Sequence, residues 1–409
     1  MSYTQRLMMS LSLVGLLALV SAAADWPAFR GKDGSAITPE ADLPVKWGKE
    51  EGLRYKVPLP GRGLSNPVIA AGRVYVTACS GYRHRRLHVL CFDETTGKKV
   101  WERQFEATGN TACHPTTNMA APTPVTDGEA VYALFATGDL IALDRSGVLL
   151  WYRSLVGDYP DITNQVGMAS SPTLAGDVLL VPMENAGDSF TAGIDKKTGV
   201  NLWRSKRTRE TTWCSPVVVR QGDKTAVLFQ TRSEATLVEP QTGKVLWKKA
   251  ASELEADLSA IQSPAVGDGL VVLSAGELIA LKPDLQGGEP KELWRGAPGG
   301  AGYASPVLHA GRVYRLSQVA LLCFDAATGK ELWRERITGP FDGSPVIAGN
   351  RLYAVNNKGR TTVIELGDKK GSVLARNDID DTIQATPAIA NGCIYLRSDK
   401  YLYCIGPKK

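Results

Sequence analysis

One phrase recurs along the chain and constrains its fold more than any other sequence feature. Each copy has a proline followed by apolar residues, a glycine turn and alternating strand-like segments. The anchoring prolines are Pro67, Pro124, Pro172, Pro216, Pro264, Pro306, Pro345 and Pro387. Neighbouring prolines lie 39 to 57 residues apart, about the length of one four-stranded propeller blade. The repeats therefore predict one closed array, although a chain of 409 residues could otherwise form two or three domains.

The copy around Pro306 shows the strand pattern most clearly. Residues 305–308 are predicted to form the innermost strand, and residues 312–316 and 321–325 the next two. A Thr-Gly-Lys turn then leads to Trp333 in the outer strand. This alternation, bounded by glycine and aspartate turns, is typical of antiparallel hairpins.

Tryptophans recur at the outer strand of most copies. A blade that twists at its outer edge leaves a gap beside its neighbour, which an indole ring can fill. We therefore interpret seven of the nine tryptophans as structural docking residues: Trp47, Trp101, Trp151, Trp203, Trp247, Trp294 and Trp333.

The two ends of the chain are predicted to meet. Trp47 precedes the first proline-containing strand, whereas the last copy, residues 387–405, stops after three strands. If residues 46–57 supply the fourth strand of the last copy, that blade is complete and Trp47 has a blade. This closure also removes exposed strand edges. The prediction is an all-β, eight-bladed β-propeller of four-stranded antiparallel blades, closed by the N-terminal segment completing the last blade.

The first residues have the pattern of an export signal. Arg6 precedes an apolar run over residues 7–20, and three alanines at 22–24 follow it. This pattern predicts a signal peptide over residues 1–24, with an N-terminal membrane anchor as the alternative. The mature protein would then be one domain, residues 25–409, without a transmembrane span, in the periplasm or outside the cell.

Charge and cysteine content limit the partners and the cross-links. The net charge of +5 is too weak to indicate a nucleic-acid partner, and we expect a monomer. Seven cysteines cannot all pair. Cys79 and Cys113 are predicted on the same face of blade one, where an exported protein could join them in a disulfide.

The longest predicted connections lie on that same face, in the first three blades. They span residues 78–86, 106–120, 156–169 and 183–190. Long loops on a rigid scaffold commonly carry binding residues. The candidate ligand-binding residues on these loops are Asn118, Asn164, Gln165, Glu184, Asn185 and Asp188. His84 and His114 also lie there, but no metal-ligand spacing accompanies them, and we expect no metal site.

The residue three positions before each proline is predicted to surround the mouth of the central channel. Two of these residues, Trp213 and Tyr303, are aromatic. They could form a platform for a flat ligand or a peptide side chain, or they could plug the funnel. The sequence contains no nucleophile with a matched base that we could identify, so no catalytic residue is predicted.

The segments from Leu90 to Trp101 and from Leu322 to Trp333 resemble the docking repeat of PQQ-like β-propellers. That superfamily includes the pyrroloquinoline quinone (PQQ)-dependent dehydrogenases and the assembly factor BamB. The opening residues 25–31, Asp-Trp-Pro-Ala-Phe-Arg-Gly, are similar to the start of exported PQQ-like repeat proteins. The resemblance covers the mature chain and implies the fold; its enzymes use PQQ with calcium.

Three functions follow as hypotheses. The first is an exported, non-catalytic scaffold that recognises a protein or a cell-envelope component through the long-loop face, with no cofactor. The second is a PQQ-dependent oxidoreductase that acts on an alcohol or a sugar. The third is an outer-membrane protein assembly factor of the BamB type.

Overall fold

Eight blades of four antiparallel strands, one of them extended by a fifth strand, surround a central axis in the computed structural model, which describes residues 25–163, 166–298 and 302–408. This arrangement confirms the predicted eight-bladed propeller. The predicted signal peptide, residues 1–24, lies outside the described residues. Within the described part of the chain, no helix is both long enough and apolar enough to cross a membrane.

Each of the first four blades is one continuous segment, with its strands ordered from the axis outward. Blade 1 comprises Val68–Ala70, Arg73–Ser80, Arg86–Asp93 and Lys99–Glu106. Blade 2 comprises Val125–Thr126, Ala130–Leu134, Asp139–Asp144 and Leu149–Ser154. Blade 3 comprises Thr173–Ala175, Val178–Met183, Phe190–Asp195 and Asn201–Lys206. Blade 4 comprises Val217–Gln221, Lys224–Gln230, Glu234–Val238 and Val245–Ala250.

The remaining blades follow the same order, and two of them take a strand from the N-terminal region. Blade 5 comprises Ala265–Gly267, Leu270–Ser274, Glu277–Lys282 and Lys291–Pro298. Blade 6 comprises Val307–His309, Arg312–Leu316, Ala320–Asp325 and Glu331–Arg336. Blade 7 comprises Val346–Ala348, Arg351–Val355, Arg360–Leu366 and Gly371–Asp378, with Ile37–Thr38 parallel to its inner strand. Blade 8 comprises Ala388–Ala390, Cys393–Arg397, Tyr401–Ile405 and Leu53–Pro58.

Helical segments are short in the described chain. Lys32–Gly34 and Tyr82–His84 form 3-10 turns, and Leu155–Asp158 forms one α-helical turn after the outer strand of blade 2. Ser154 caps that turn, because its hydroxyl accepts a hydrogen bond from the Gly157 amide at 3.0 Å. The core therefore lies almost entirely between the sheets.

The N-terminal segment closes the ring, as predicted. Leu53–Pro58 pairs antiparallel with Tyr401–Ile405, and this pairing supplies the outer strand of blade 8. The junction is buried, since one apolar cluster joins residues of blades 7, 8 and 1. Closure therefore leaves blade 8 with the same four-strand order as its neighbours.

The prediction that Trp47 occupies the docking position of blade 8 is wrong. In blades 1 and 6 the docking tryptophan pairs with a cysteine, Trp101 with Cys91 and Trp333 with Cys323. In blade 8 the residue that pairs with Cys404 is Tyr55. A tyrosine ring therefore fills in blade 8 the slot that an indole fills in blades 1 and 6.

Trp47 lies before that strand and bonds to blade 7 instead. Its backbone N–H donates to the Asn377 side chain at 3.1 Å, and its side chain is buried. The outer strand of blade 7 carries Ala375 at its own docking position, opposite Val363. Trp47 therefore adds apolar bulk next to the blade that lacks a docking aromatic.

The other outer-strand tryptophans lie against the next blade around the ring. Five of their indole N–H groups donate to a backbone carbonyl of that blade at 2.7 to 3.0 Å: Trp101, Trp151, Trp203, Trp294 and Trp333. Turn glycines make room for the rings, since a Cβ at Gly147 would lie 2.7 Å from Trp101. A Cβ at Gly97 would likewise lie 2.6 Å from the Tyr55 ring, and the φ of Gly97 is +69°, a conformation that favours glycine.

The segment after the predicted cleavage site closes the base of the channel. Trp26 exchanges two backbone hydrogen bonds of 2.8 Å with Ile69, which fixes the segment to blade 1. Phe29 then lines the bottom of the axial cavity. The fully buried Arg30 donates to the carbonyl of Pro264 at 2.9 Å and also to that of Pro306. The base is therefore tied to blades 1, 5 and 6.

The predicted disulfide between Cys79 and Cys113 does not form, and both thiols are free. The Cys79 side chain is buried beside Asn118, with Sγ 3.9 Å from the amide oxygen. Cys113 faces its own loop, where its thiol approaches the Thr117 carbonyl at 3.7 Å. The two side chains therefore make their contacts with different groups. Burial raises the pKa of both thiols, which lowers their reactivity.

Candidate functional site

A pocket opens at the mouth of the channel, on the face that carries the long loops. Its volume is about 400 Å³, within the usual range for ligand pockets. The residues that line it are Leu64, His114, Thr116, Thr117, Val166, Ala169, Trp213, Ile261, Tyr303, Asp342 and Gln384. We call this the mouth pocket.

The repeat explains which residues reach the axis. All eight residues that stand three positions before an anchoring proline line the channel, as the repeat phase predicted. Seven of them also line the mouth pocket; the eighth, Ala121, is buried. The inner strands therefore fix the floor of the pocket, and loops from blades 1 and 2 add His114 and Val166 to one side.

Trp213 is held rigidly in this floor. Its backbone N–H donates to the Ala260 carbonyl at 2.7 Å, and its indole N–H donates to the Gly167 carbonyl at 2.8 Å. Tyr303 and Ile261 are more open, with 48% and 36% of their surfaces exposed. A fixed indole beside exposed apolar side chains is a platform, so the funnel is not plugged at this level.

Polar groups are few in the mouth pocket. The Gln384 side-chain amide donates to Asp342 at 3.3 Å, and Asp342 is the single carboxylate among the described lining residues. His114 shares a hydrogen bond of 2.8 Å between its Nδ1 and the Thr116 hydroxyl. The pocket thus combines an apolar floor with a negative charge on one side.

Those of the predicted loop residues that the structure describes do not line the mouth pocket. Asn118 is fully buried, and its amide oxygen accepts from the Ala120 amide at 2.9 Å. Asn185 is also buried and donates to the carbonyls of Met183 and Asp188. The Asp188 carboxylate pairs with Arg204. These side chains hold the loops in shape. Asn164 and Gln165 lie outside the described residues.

Glu184 faces a buried ion-pair network between blades 3 and 4. Arg207 lies 3.2 Å from its carboxylate and 2.5 Å from that of Glu234. Burial raises the pKa of Glu184 to about 7, because the shared arginine offsets only part of the desolvation and Glu210 and Glu234 add repulsion. Glu184 therefore couples two blades through Arg207.

Metal-binding groups do not gather anywhere in the described chain: no three His, Cys, Asp or Glu side chains are placed to hold an ion there. His84 and His114, considered above as ligands, lie on different loops. His84 belongs to the turn Tyr82–His84, whereas His114 lines the mouth pocket.

One hydrogen-bonded chain escaped the sequence reasoning. The Ser80 hydroxyl lies 2.7 Å from His88 Nε2, and His88 Nδ1 lies 2.8 Å from Glu102. The order Ser80, His88, Glu102 matches the nucleophile, base and acid of a hydrolase triad. The His88 imidazole, however, is only 3% exposed. A Cβ at Gly61 would lie 2.9 Å from the Ser80 Cβ, so the chain segment there covers the serine. The three side chains thus link adjacent strands of blade 1.

Below the mouth, a closed ring of hydrogen bonds surrounds the axis. The residue directly before each anchoring proline is serine or threonine in seven repeats and asparagine in the first. Their side chains line the axial cavity: Asn66, Thr123, Ser171, Ser215, Ser263, Ser305, Ser344 and Thr386. In each blade the backbone N–H of this residue donates to the side-chain oxygen of its counterpart in the next blade, at 2.9 to 3.0 Å.

We call these eight residues the axial ring. The last bond runs from the Thr386 amide to the Asn66 side chain and closes the circle at the junction of blades 8 and 1. Sequence analysis missed the ring, although the signal was present: a serine, threonine or asparagine stands before every anchoring proline. The ring fixes the spacing of the inner strands and thereby the floor of the mouth pocket.

Comparison with known proteins finds one repeat family along most of the chain. The family described as outer membrane protein assembly factor BamB matches residues 27–181, 161–318, 286–374 and 323–405. The assembly factor BamB of Moranella endobia (strain PCIT) is 28% identical over 180 residues. That match covers 44% of this chain and 40% of the relative, so it spans about two fifths of the relative's length.

Solved structures share the fold at low identity. BamB from Moraxella catarrhalis aligns with a TM-score of 0.58 at 18% identity, over 86% of this chain and 95% of that one. A quinohemoprotein alcohol dehydrogenase from Comamonas testosteroni aligns with a TM-score of 0.69 at 15% identity, over 94% and 81%. A europium-containing methanol dehydrogenase gives 0.68 at 14% identity, over 91% and 89%. At these identities the similarity shows the propeller alone.

Proposed function

The chain belongs to the family described as outer membrane protein assembly factor BamB, and we propose that it is an exported, non-catalytic scaffold that binds a protein segment of the cell envelope in its mouth pocket. The observation that carries the proposal is the pocket itself. It is open on the long-loop face and floored by Trp213 and neighbouring apolar side chains.

The chemistry of the pocket favours a peptide side chain as its ligand. An apolar or aromatic side chain would pack on Trp213 and between Ile261 and Tyr303, where exposed apolar surface would become buried. Asp342 would then attract a lysine, an arginine or a backbone N–H beside it. The preferred segment therefore combines one large apolar residue with a neighbouring positive charge.

The family narrows the partner that we propose. Because the matched relative is named as an outer-membrane protein assembly factor, we propose a partner within that assembly process. Export by the signal-peptide-like residues 1–24 would bring the protein to the same compartment. We also propose that the scaffold acts as a monomer.

A quinone enzyme is the weaker alternative, because the donor set does not fit the cofactor. PQQ carries several carboxylates, whereas the described residues that line the mouth pocket include no lysine or arginine and do include Asp342. A calcium ion would need a set of oxygen ligands, and Asp342 is already bonded to Gln384. We therefore derive no chemistry through this cofactor.

Site-specific photocrosslinking would test the proposal. A photoreactive amino acid replaces Tyr303 at the mouth, or the exposed Asp223 in the turn of blade 4 at the base, in cells that make the protein naturally. We expect a discrete protein adduct from position 303 and none from position 223. Free PQQ with calcium, added to the purified protein, should not bind.

The specificity of the adduct decides the outcome. Asp342→Asn should reduce its yield severalfold, whereas Asp223→Asn, a matched loss of one carboxylate at the base, should leave it unchanged. Equal adduct yields from positions 303 and 223, or an adduct yield that Asp342→Asn leaves unchanged, would refute binding in the mouth pocket. Saturable PQQ binding with dye reduction by an alcohol or a sugar would favour the enzyme.

A further inference from the structure

The axial ring presents hydrogen-bond donors that have no partner among the described residues. Each of its seven hydroxyl oxygens accepts a backbone N–H from the preceding blade, yet none of these hydroxyls donates in turn to a described group. All seven line the same axial cavity. Because buried hydroxyl groups normally use their donor as well, the ring points to a guest that accepts hydrogen bonds.

Asn66 gives independent evidence for the same chemistry. Its side-chain oxygen accepts a hydrogen bond from the Thr386 amide at 2.9 Å. The side-chain NH₂ is the remaining hydrogen-bonding group of Asn66. That nitrogen is buried without a hydrogen-bond partner, and the residue is only 2% exposed. The nitrogen can only donate, so it needs an acceptor. Asn66 lines the axial cavity, where a guest could supply that acceptor.

Arg30 adds a positive charge close to the axial ring, although it does not itself line the cavity. Its guanidinium bonds to the carbonyls of Pro264 and Pro306, the residues that directly follow two serines of the axial ring. Its Nε is buried without a partner, and none of the described ion pairs involves this arginine. Burial alone lowers the pKa of Arg30 to about 9. A buried cation without a counterion is costly, and an anion nearby would offset that cost.

The cavity has room for a small ion. Its volume is about 100 Å³, whereas a water molecule occupies about 30 Å³ in the liquid. Phe29 closes it below, and the mouth pocket gives access from above. We propose that the axial cavity is a binding site for a small monovalent anion of the halide size class, held by the hydroxyls of the axial ring and the Asn66 amide, with the buried Arg30 charge close by.

An anion fits this cavity better than a cation or water alone. Hydroxyl groups can face a cation with their oxygens, but the Asn66 NH₂ and the Arg30 guanidinium would repel one. The one carboxylate among the described residues of the cavity wall, Asp342, lies in the mouth layer and accepts a bond from Gln384. The ring residues do not line the mouth pocket, so the anion site does not depend on the proposed partner.

Anomalous diffraction on crystals of the whole protein is the direct test. Crystals grown in sodium bromide should show one bromide peak on the propeller axis, surrounded by the hydroxyls of the axial ring. Crystals soaked in rubidium chloride should show no rubidium peak there. A rubidium peak on the axis, or only water at that position in the bromide crystals, would overturn the proposal.

Thermal unfolding at constant ionic strength extends the test to solution. Replacing gluconate, which is too large for the cavity, by bromide should raise the melting temperature in a saturable manner. Arg30→Gln removes the charge and should abolish this increase. Asn66→Asp, measured at pH 8, keeps an oxygen that accepts from the Thr386 amide but replaces the NH₂ donor with a carboxylate oxygen. It should also abolish the bromide-dependent increase in melting temperature.

Asn356→Asp is the matched control, because Asn356 is a buried asparagine whose oxygen also accepts backbone N–H groups, in a loop of blade 7. It does not line the cavity, so its bromide response should equal that of the unmodified protein. A bromide response that survives both channel variants would contradict the assignment. If neither channel variant folds, the bromide and rubidium maps of the unmodified protein still decide.

Discussion

Glu184 gives the protein a pH dependence that can be calculated from the structure. Its carboxyl group is buried between blades 3 and 4 and shares Arg207 with Glu234. In the folded protein its pKa is raised to about 7, mainly by burial, from 4.5 in the unfolded chain. We consider Glu184→Gln, which keeps an oxygen that can accept from Arg207 but cannot ionise.

The sign follows from proton binding. Below pH 4.5 both states of the wild type are protonated at Glu184, and the group contributes no pH dependence. Between 4.5 and about 7 the unfolded chain releases the proton while the folded protein keeps it, so the free energy of unfolding falls as pH rises. The total loss is about 3 kcal/mol, from about 1.4 kcal/mol for each tenfold change in proton affinity.

Urea unfolding between pH 4 and pH 8.5 would measure this effect. The stability of Glu184→Gln relative to the wild type should rise by about 3 kcal/mol across the range and level off above pH 7. Glu292→Gln is the control, because Arg295 lowers the pKa of Glu292 and its contribution changes only below pH 4.5. Parallel wild-type and Glu184→Gln curves would show that the carboxyl ionises freely in the fold, and the burial argument would fail.

Two further predictions test the docking geometry and the thiols. Gly97→Ala should destabilise the protein by about 2–4 kcal/mol, because a Cβ would lie 2.6 Å from the Tyr55 ring at a φ of +69°. Gly72→Ala, with φ +76° and open space around its Cβ, should cost only about 1 kcal/mol in the same urea experiment, and equal losses would contradict ring packing. The unfolded protein should react with seven equivalents of a thiol reagent without prior reduction, and five equivalents would reveal a disulfide.

The fold could be predicted because each blade repeats the same physical requirements. A proline stands directly before every inner strand, and alternating apolar residues form the strands. A turn glycine leaves room for the aromatic ring of the neighbouring blade. The strand pattern of each repeat is consistent with closure of the whole ring. The two ends of the repeat array, far apart in sequence, could therefore be assigned to one sheet. The missing fourth strand of the last copy was the decisive signal.

The identity of the closing aromatic could not be derived from a tryptophan pattern. The docking slot is defined by its partner across the ladder, Cys404, and by Gly97 of the next blade. Tyr55 meets both conditions, while Trp47 stands before the strand. Register decides which side chain faces the neighbouring blade, and a shift of one residue reverses the face.

The described loop side chains lie outside the mouth pocket for a different reason. Composition places polar residues on a face, but it does not say whether they point to solvent or to the loop backbone. Asn185 turns inward because the loop exposes carbonyls that need donors, and Asp188 turns toward Arg204. Trp213 and Tyr303 were placed correctly, because the strand phase fixed by the prolines leads them to the axis.

The N-terminal segment makes the two faces of the ring unequal. Leu53–Pro58 seals the ring at its rim, and Phe29 and Arg30 close the channel at its base, so both tasks fall to residues that precede blade 1. Eight similar repeats alone would leave a channel open at both ends. With Phe29 at the base, the mouth pocket is the side on which the described residues leave the axis open to a ligand. The asymmetry on which the proposed binding depends therefore comes from the part of the chain that lies outside the repeats.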